Sequence, residues 1–461
     1  MSSLAVCVSH SLRRAAGGLL LFLVLGLLGA CGRQGGAPTP DTAAIQAPRP
    51  LSLMAQIGRG LFFEPSLSAS GQQSCASCHD PGHAFGPANA LAVQLGGLHA
   101  DQQGLRAVPK LSYLFATPGF SIGPDEDSGL EQHPAGASPH VGGAVSAAPA
   151  PATPVLARVA PGVAKSADPA VAATALVPQG GLFWDGRADT LQGQALAPLL
   201  NPLEMGNKSA QEIIGKLRRL GVAQRLKILV GPNVETDDQL LLSEALFAIG
   251  RYEAEDQAFA PYDSKYDLYL HGKVTLSKAE MRGLKLFEDP KKGNCAACHP
   301  DRPAGNGRPP LFTDYQFEAL GVPRNAEIQA NADTHYFDLG ICGPERKDVF
   351  ARQAGNCGLF KTPSLRNVAT RQAFFHNGVY HKLEDVLHFY VERDIHPEKF
   401  YPRKADGTVS VYNDLPPQYS ANLDILDAPF DRKPGEPPAL DEAEQKDIIA
   451  FLGTLSDGYK P

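Results

Sequence analysis

The chain has 461 residues, 43% of them apolar, with 42 basic and 49 acidic residues and a formal net charge of −7. An acidic balance argues against nucleic-acid binding and suits a redox partner with a basic face. The length exceeds one ordinary domain and is enough to bury more than one core.

Residues 1–30 read as a signal peptide: Arg13 and Arg14, an apolar run from Leu19 to Leu28, then Gly29 and Ala30 before Cys31. The run is too short for a confident membrane span, which needs about 20 apolar residues. Leu28-Gly29-Ala30-Cys31 resembles the bacterial lipoprotein cleavage box, in which the cysteine is lipidated. The other reading is an ordinary cleaved signal with an incidental cysteine. The expected address is the periplasmic side of a bacterial membrane, with a lipid anchor at Cys31 as the sole membrane contact. Residues 31–50, rich in Gly, Pro, Ala and Gln, are the expected flexible tether.

A helical pattern through Leu53, Ile57 and Leu61 ends at Pro65 and leads into Cys75-Ala76-Ser77-Cys78-His79. The same signature recurs as Cys295-Ala296-Ala297-Cys298-His299. Two cysteines two residues apart with histidine directly after them is the attachment signature of c-type haem: the thiols add to the vinyl groups and the imidazole is pinned beneath the iron. Zinc would want two further close ligands, and a redox pair has no use for a fixed histidine. The neighbourhood repeats too, since Gly58, Leu61, Phe62 and Pro65 precede the first signature in the register in which Gly283, Leu286, Phe287 and Pro290 precede the second. Two covalently bound c-type haems are therefore expected.

Residues 125–178 are dominated by Pro, Ala, Gly and Ser, without periodicity, and read as a low-complexity insert whose His133 and His140 are solvated. Order resumes at Phe183-Trp184-Asp185-Gly186-Arg187, followed by Gln194, Pro198 and Glu204. Helical patterns span about 209–230, 238–259, 277–288 and 441–455, the last with Ile448, Leu452 and Leu455 on one face. No sustained alternating pattern appears. The expected fold is mainly α: two cytochrome c-like domains with long loops, 51–262 and 263–461, each holding one covalent haem. Cys342 and Cys357 are either a disulfide closing a short loop, contributing about 3 kcal/mol, or two free thiols.

The two signatures, the Trp184 motif, and Phe360-Lys361-Thr362-Pro363-Ser364-Leu365-Arg366-Asn367-Val368 leading to His376-Asn377-Gly378 together resemble the bacterial di-haem cytochrome c peroxidase family, which includes MauG-type enzymes. The resemblance implies an N-terminal haem where hydrogen peroxide reacts and a C-terminal haem that passes electrons to it from a small cytochrome or cupredoxin. It matches Gln194, Pro198 and Glu204 to the peroxide pocket. Independently, splitting an O–O bond needs a proton taken from one oxygen and delivered to the other, which one carboxylate can do. Trp184 is either on the electron path or a core aromatic. His99 matches a loop histidine that caps the peroxidatic iron in many members; its other reading is a solvent-facing loop residue, and His83 is a weaker candidate for the cap. His376 matches a histidine near the haem pair, or has a structural role.

Three departures from the family pattern matter. Calcium is doubtful, because Ala107 stands where members carry a ligating asparagine and Arg371 occupies one of the carbonyl positions. Gly293 stands where MauG has a tryptophan before the second signature, which weakens strong haem-to-haem sharing of oxidising equivalents. No methionine follows the second signature, and the position of the sixth ligand is Tyr390, on a stripe with Leu383, Val386 and Leu387. The alternatives there are His388, water, or no ligand. A phenolate favours oxidised iron, so Tyr390 pulls toward the second functional reading: a MauG-like enzyme that uses peroxide-oxidised haem on an organic or protein substrate. A plain di-haem electron carrier has no use for the Glu204 pocket.

Overall fold

The computed structural model describes residues 50–124, 176–304 and 307–461. The expected signal, Cys31, the tether up to residue 49, His133 and His140 lie outside the described residues. The fold is mainly α. In the first half, Ser52 starts α1 (Leu53–Phe62) by accepting from the Ala55 amide at 3.1 Å, pairing a helix N–H that has no partner within the helix. The short α2 (Cys75–Cys78) carries the first signature, and α3 (Leu191–Leu200), α4 (Ala210–Arg219), α5 (Val222–Val230) and α6 (Asp238–Glu255) follow. The pattern expected as one helix over 209–230 is two, because Gly221 sits between them at a φ of +66°, a left-handed conformation that ends a helix.

The second half repeats the plan. After α7 (Lys265–Leu270) come α8 (Lys278–Glu288), the signature helix α9 (Cys295–Cys298), α10 (Leu383–Glu392) and the closing α11 (Glu442–Gly453). One core gathers Leu61, Phe62, Phe85, Ile249, Tyr252 and Phe259; another gathers Phe287, Phe312, Leu387, Ile448 and Phe451. Each core is seeded by a helix crossing at the repeated glycine. A Cβ on Gly58 of α1 would stand 1.8 Å from the Ala248 carbonyl oxygen of α6, and one on Gly283 of α8 would stand 1.9 Å from that of Asp447 of α11. Only glycine lets these backbones approach so closely.

Strands among the described residues are short antiparallel pairs: β1 (Leu95–Gly96) with β2 (Gln102–Gln103), β3 (Ser121–Pro124) with β4 (Leu176–Gln179), and β5 (Phe317–Glu318) with β6 (Phe360–Lys361). The β3–β4 ribbon corrects the expected end of the insert: 176–178 are in strand, with Ser121 opposite Gln179, so the insert leaves and re-enters the body at adjacent points. Cys342 and Cys357 form a disulfide, which settles the alternative left open by the sequence. No helix among the described residues is long and apolar enough to cross a membrane.

Candidate active site

Both signatures are built alike. His79 donates from Nδ1 to the Phe85 carbonyl at 3.1 Å, and His299 donates from Nδ1 to that of Phe312 at 2.8 Å. A carbonyl only accepts, so the proton sits on Nδ1 and each Nε2 keeps its lone pair for a metal. Desolvation lowers both imidazoles to about 4, so both are neutral at ordinary pH. Phe85 and Phe312 hold positive φ values of 57° and 55°, which turns each carbonyl toward its histidine, and their rings pack edge-on against Phe62 and Phe287. Neither phenylalanine is legible as a partner in the sequence, because one lies six residues after its histidine and the other thirteen.

The four signature cysteines are free thiols. Burial pushes Cys75 and Cys295 up to about 12 and Cys78 to about 11, so they stay protonated. A thiol pair followed by an imidazole with a free Nε2 fits thioether attachment of haem, and among the described residues no cluster of His, Cys, Asp and Glu completes the ligand set that zinc would need. Around the second signature an apolar cavity is lined by Cys295, Cys298, His299, Leu311, Tyr390 and Phe430, and it extends to Trp184 and Gln194. The residues present therefore fit a haem at the second signature, and the first repeats its thiol pair and carbonyl-held imidazole.

Glu204 belongs to the first signature. Its charge pushes up both Cys75 and Cys78, which places it near those thiols. The turn after α3 holds it there: the Met205 amide donates to the Pro198 carbonyl at 3.1 Å, and Asn201 donates from Nδ2 to the Glu204 carboxylate at 2.7 Å. Burial first, and then the Glu345 charge, raise the Glu204 carboxyl to about 7 against the opposing pull of Arg187. Gln194 and Pro198 lie four apart in α3, on one face, and Gln194 is buried.

Trp184 donates from its indole to the Ala107 carbonyl at 2.8 Å, and its own carbonyl accepts from the Lys361 amide. It thus ties three segments together beside the cavity. Tyr390 lies near Cys298 and Cys295, and burial above all holds its phenol well above the ordinary value. It packs against Phe375 and Phe430, and it lines the cavity where His388 does not. His99 is exposed in the turn between β1 and β2, and His83 is paired with Asp80 at 3.1 Å. That turn packs against the Glu204 segment, since the Gly97 amide donates to the Glu204 carbonyl at 2.7 Å. His376 is buried and stacked on Phe360 at 3.5 Å, and burial lowers it to about 4.

At the positions that depart from the family pattern, polar groups already meet. The Ala107 carbonyl accepts the Trp184 indole, while Arg371 donates to the carbonyls of Ala373 and Val108, both at 3.1 Å. A Cβ on Gly293 would stand 2.6 Å from the Leu286 carbonyl oxygen and 3.1 Å from the Cys295 sulfur, so no side chain fits there.

One network leaves no mark in the sequence. Arg106 bonds Asp338 in bidentate fashion at 2.6 and 2.7 Å and Asp185 at 2.7 Å, and Asp185 also accepts from Arg187. Arg187 in turn lies 3.5 Å from Glu345. Residues far apart in the chain, some of them flanking the disulfide, thereby reach the Glu204 surroundings.

Comparison with known proteins agrees with this construction. The family described as di-haem cytochrome c peroxidase matches residues 52–275. The chain is 29% identical to the methylamine utilization protein MauG of Paracoccus denitrificans over 440 residues, covering 92% of this chain and 94% of that protein. It is 26% identical to the cytochrome c551 peroxidase of Nitrosomonas europaea over 72% of this chain and 71% of the relative. The crystal structure of the diheme peroxidase BthA from Burkholderia thailandensis matches with a TM-score of 0.70 and 34% identity, covering 89% of this chain and 87% of that one. With two haem-attachment sites built on one plan and relatives of this kind along nearly its whole length, the chain belongs to the di-haem cytochrome c peroxidase family, as an oxidoreductase with two c-type haems.

Proposed function

We propose that the protein reduces hydrogen peroxide to water at the haem held by Cys75, Cys78 and His79, with electrons arriving through the haem held by Cys295, Cys298 and His299. When bound, each haem supplies an iron that exchanges single electrons, the first one also offering peroxide a site. Glu204 takes a proton from one peroxide oxygen and returns it to the other, which leaves as water; with two electrons and two protons, one peroxide becomes two waters. Gln194 and Pro198 line that pocket, and Trp184 lies on the electron path. Tyr390 would bind the iron of the second haem, and His99, in the β1–β2 turn beside the Glu204 segment, would cap that of the first. Arg371 takes the place of a structural calcium.

We read the two cores as cytochrome c-like domains over 51–262 and 263–461. The disulfide suits an oxidising compartment, and we place the protein on the periplasmic side of a membrane, exported by residues 1–30 and anchored by lipid at Cys31.

The observation that carries the reading is a carboxyl raised to about 7 beside the first-signature thiols. The test is peroxide consumption with a reduced small cytochrome or cupredoxin, against the same assay with no donor. Oxidation of about two donor molecules per peroxide, as the electron balance requires, is expected. Tyr390 beside the second signature favours a second reading, the MauG-like oxidation of an organic or protein substrate. Peroxide consumption that ignores every donor and proceeds only with such a substrate would select it.

A further inference from the structure

Three cations line the cavity that reaches the second signature: Lys361 donates to the Gly181 carbonyl, and among the described residues neither of the other two, Lys110 and Arg371, pairs with a carboxylate. Lys110 donates to the Arg366 carbonyl, and Arg371 donates to the carbonyls of Ala373 and Val108. Both contribute to the wall that also holds Cys295, Cys298 and His299. An ammonium has three donors and a guanidinium five, so these backbone bonds leave donors over on each. The two charges feel one another, and Arg371 also acts on His79, so the pair lies between the two haem-attachment sites. Asp457 is a counter-charge that acts on Lys110, but its carboxylate is engaged by the Tyr113 hydroxyl at 2.6 Å and the Asn367 amide at 2.5 Å.

Two like charges held together out of water are costly unless an anion joins them. Desolvation first, and then the Arg371 charge, hold Lys110 well below its ordinary value, and desolvation lowers Arg371 to about 10. The resident group that enters this cavity brings carboxylates of its own, the two propionates of haem.

We propose that Lys110 and Arg371 form an anion clamp that receives haem propionate carboxylates between the two attachment sites. The clamp rests on the two-haem assignment and is independent of which substrate the enzyme oxidises. It orients the haem edge and, by placing positive charge beside it, favours the reduced iron.

The test uses the full-length holoprotein, with two covalent haems verified by intact mass; a wild type lacking them would refute the two-haem assignment rather than the clamp. Midpoint potentials of both haems are measured by spectroelectrochemistry, and propionate-bending bands by resonance Raman, for wild type, Lys110→Met and Lys110→Arg. Lys110→Met is expected to lower the potential of one haem and shift its propionate band, and Lys110→Arg to restore both. Should Lys110→Met fail to accumulate, Arg371→Gln and Arg371→Lys make the same comparison. Unchanged potentials and bands in the charge-neutral variant would overturn the proposal. So would a wild-type potential that moves on adding acetate, since the pair would then be taking its carboxylate from solution.

Discussion

Glu204 is a half-buried carboxyl raised to about 7 chiefly by desolvation, and that sets a pH dependence whose sign is determined. A base needs the ionised form, so the rate of peroxide cleavage should rise as pH passes through about 7 and then level. Glu204→Gln should keep both haems, slow the step by about 10²-fold, and erase that limb; stopped-flow mixing with peroxide reads all of it, and an unchanged rate would move the pocket acid elsewhere. Stability runs the other way. A carboxyl whose folded value is raised binds its proton more tightly in the folded state, so stability falls as pH climbs from 4.5 toward 7. Tyr390→Phe should shift the absorption of one haem and raise its potential, because a hard anionic donor that favours oxidised iron is lost. Identical spectra in wild type and variant would refute the ligand assignment. Both side chains stand out in the sequence, but their surroundings do not. Asn201 carries no mark there, and the influence of Glu345 on Glu204 needs a fold that brings together residues far apart in the chain.

Among the elements, the crossings of α1 on α6 and of α8 on α11 organise the two cores, and both depend on one glycine. Substituting alanine in a helix interior ordinarily gains up to about 1 kcal/mol in propensity. Here the added Cβ would stand 1.8 Å from a backbone oxygen at Gly58, so the helices must separate, and overpacking of that kind costs about 1–3 kcal/mol or more. Gly58→Ala should therefore lose about 2 kcal/mol net, measured by denaturant unfolding of the holoprotein; a stabilised variant would mean the crossing relaxes at little cost. The repeat register of Gly58 and Gly283 is visible in the sequence, whereas its reason is not. A missing side chain carries no pattern that says which backbone will occupy the space.

At the scale of the whole molecule, the ion pairs of Arg106 with Asp338 and of Arg187 with Glu345 join the two halves of the chain, and the Cys342–Cys357 disulfide ties together the stretch of the second half beside Glu345. Replacing both cysteines by alanine removes a link across a sequence separation of 15 and should cost about 3 kcal/mol. Glu345 follows Cys342 closely and helps to hold Glu204 high. Loosening that segment should let the Glu204 value fall, moving the pH limb of peroxide cleavage to lower pH. A limb that stays in place while stability drops would show that Arg187 alone keeps Glu345 where it is.

Haem attachment, the repeated plan and the main helices were determined by the sequence itself, which also singled out Glu204 and Tyr390 as candidates. Covalent attachment needs two thiols and an imidazole within one turn of chain, and helix faces repeat at short period, so both leave local marks. Only the tertiary structure decided which carbonyls hold His79 and His299, how Arg106 reaches Asp338, why no side chain fits at Gly293, and that Lys110 and Arg371 share one wall. Those relations depend on which distant backbones meet when the cores close, and no spacing along the chain records that.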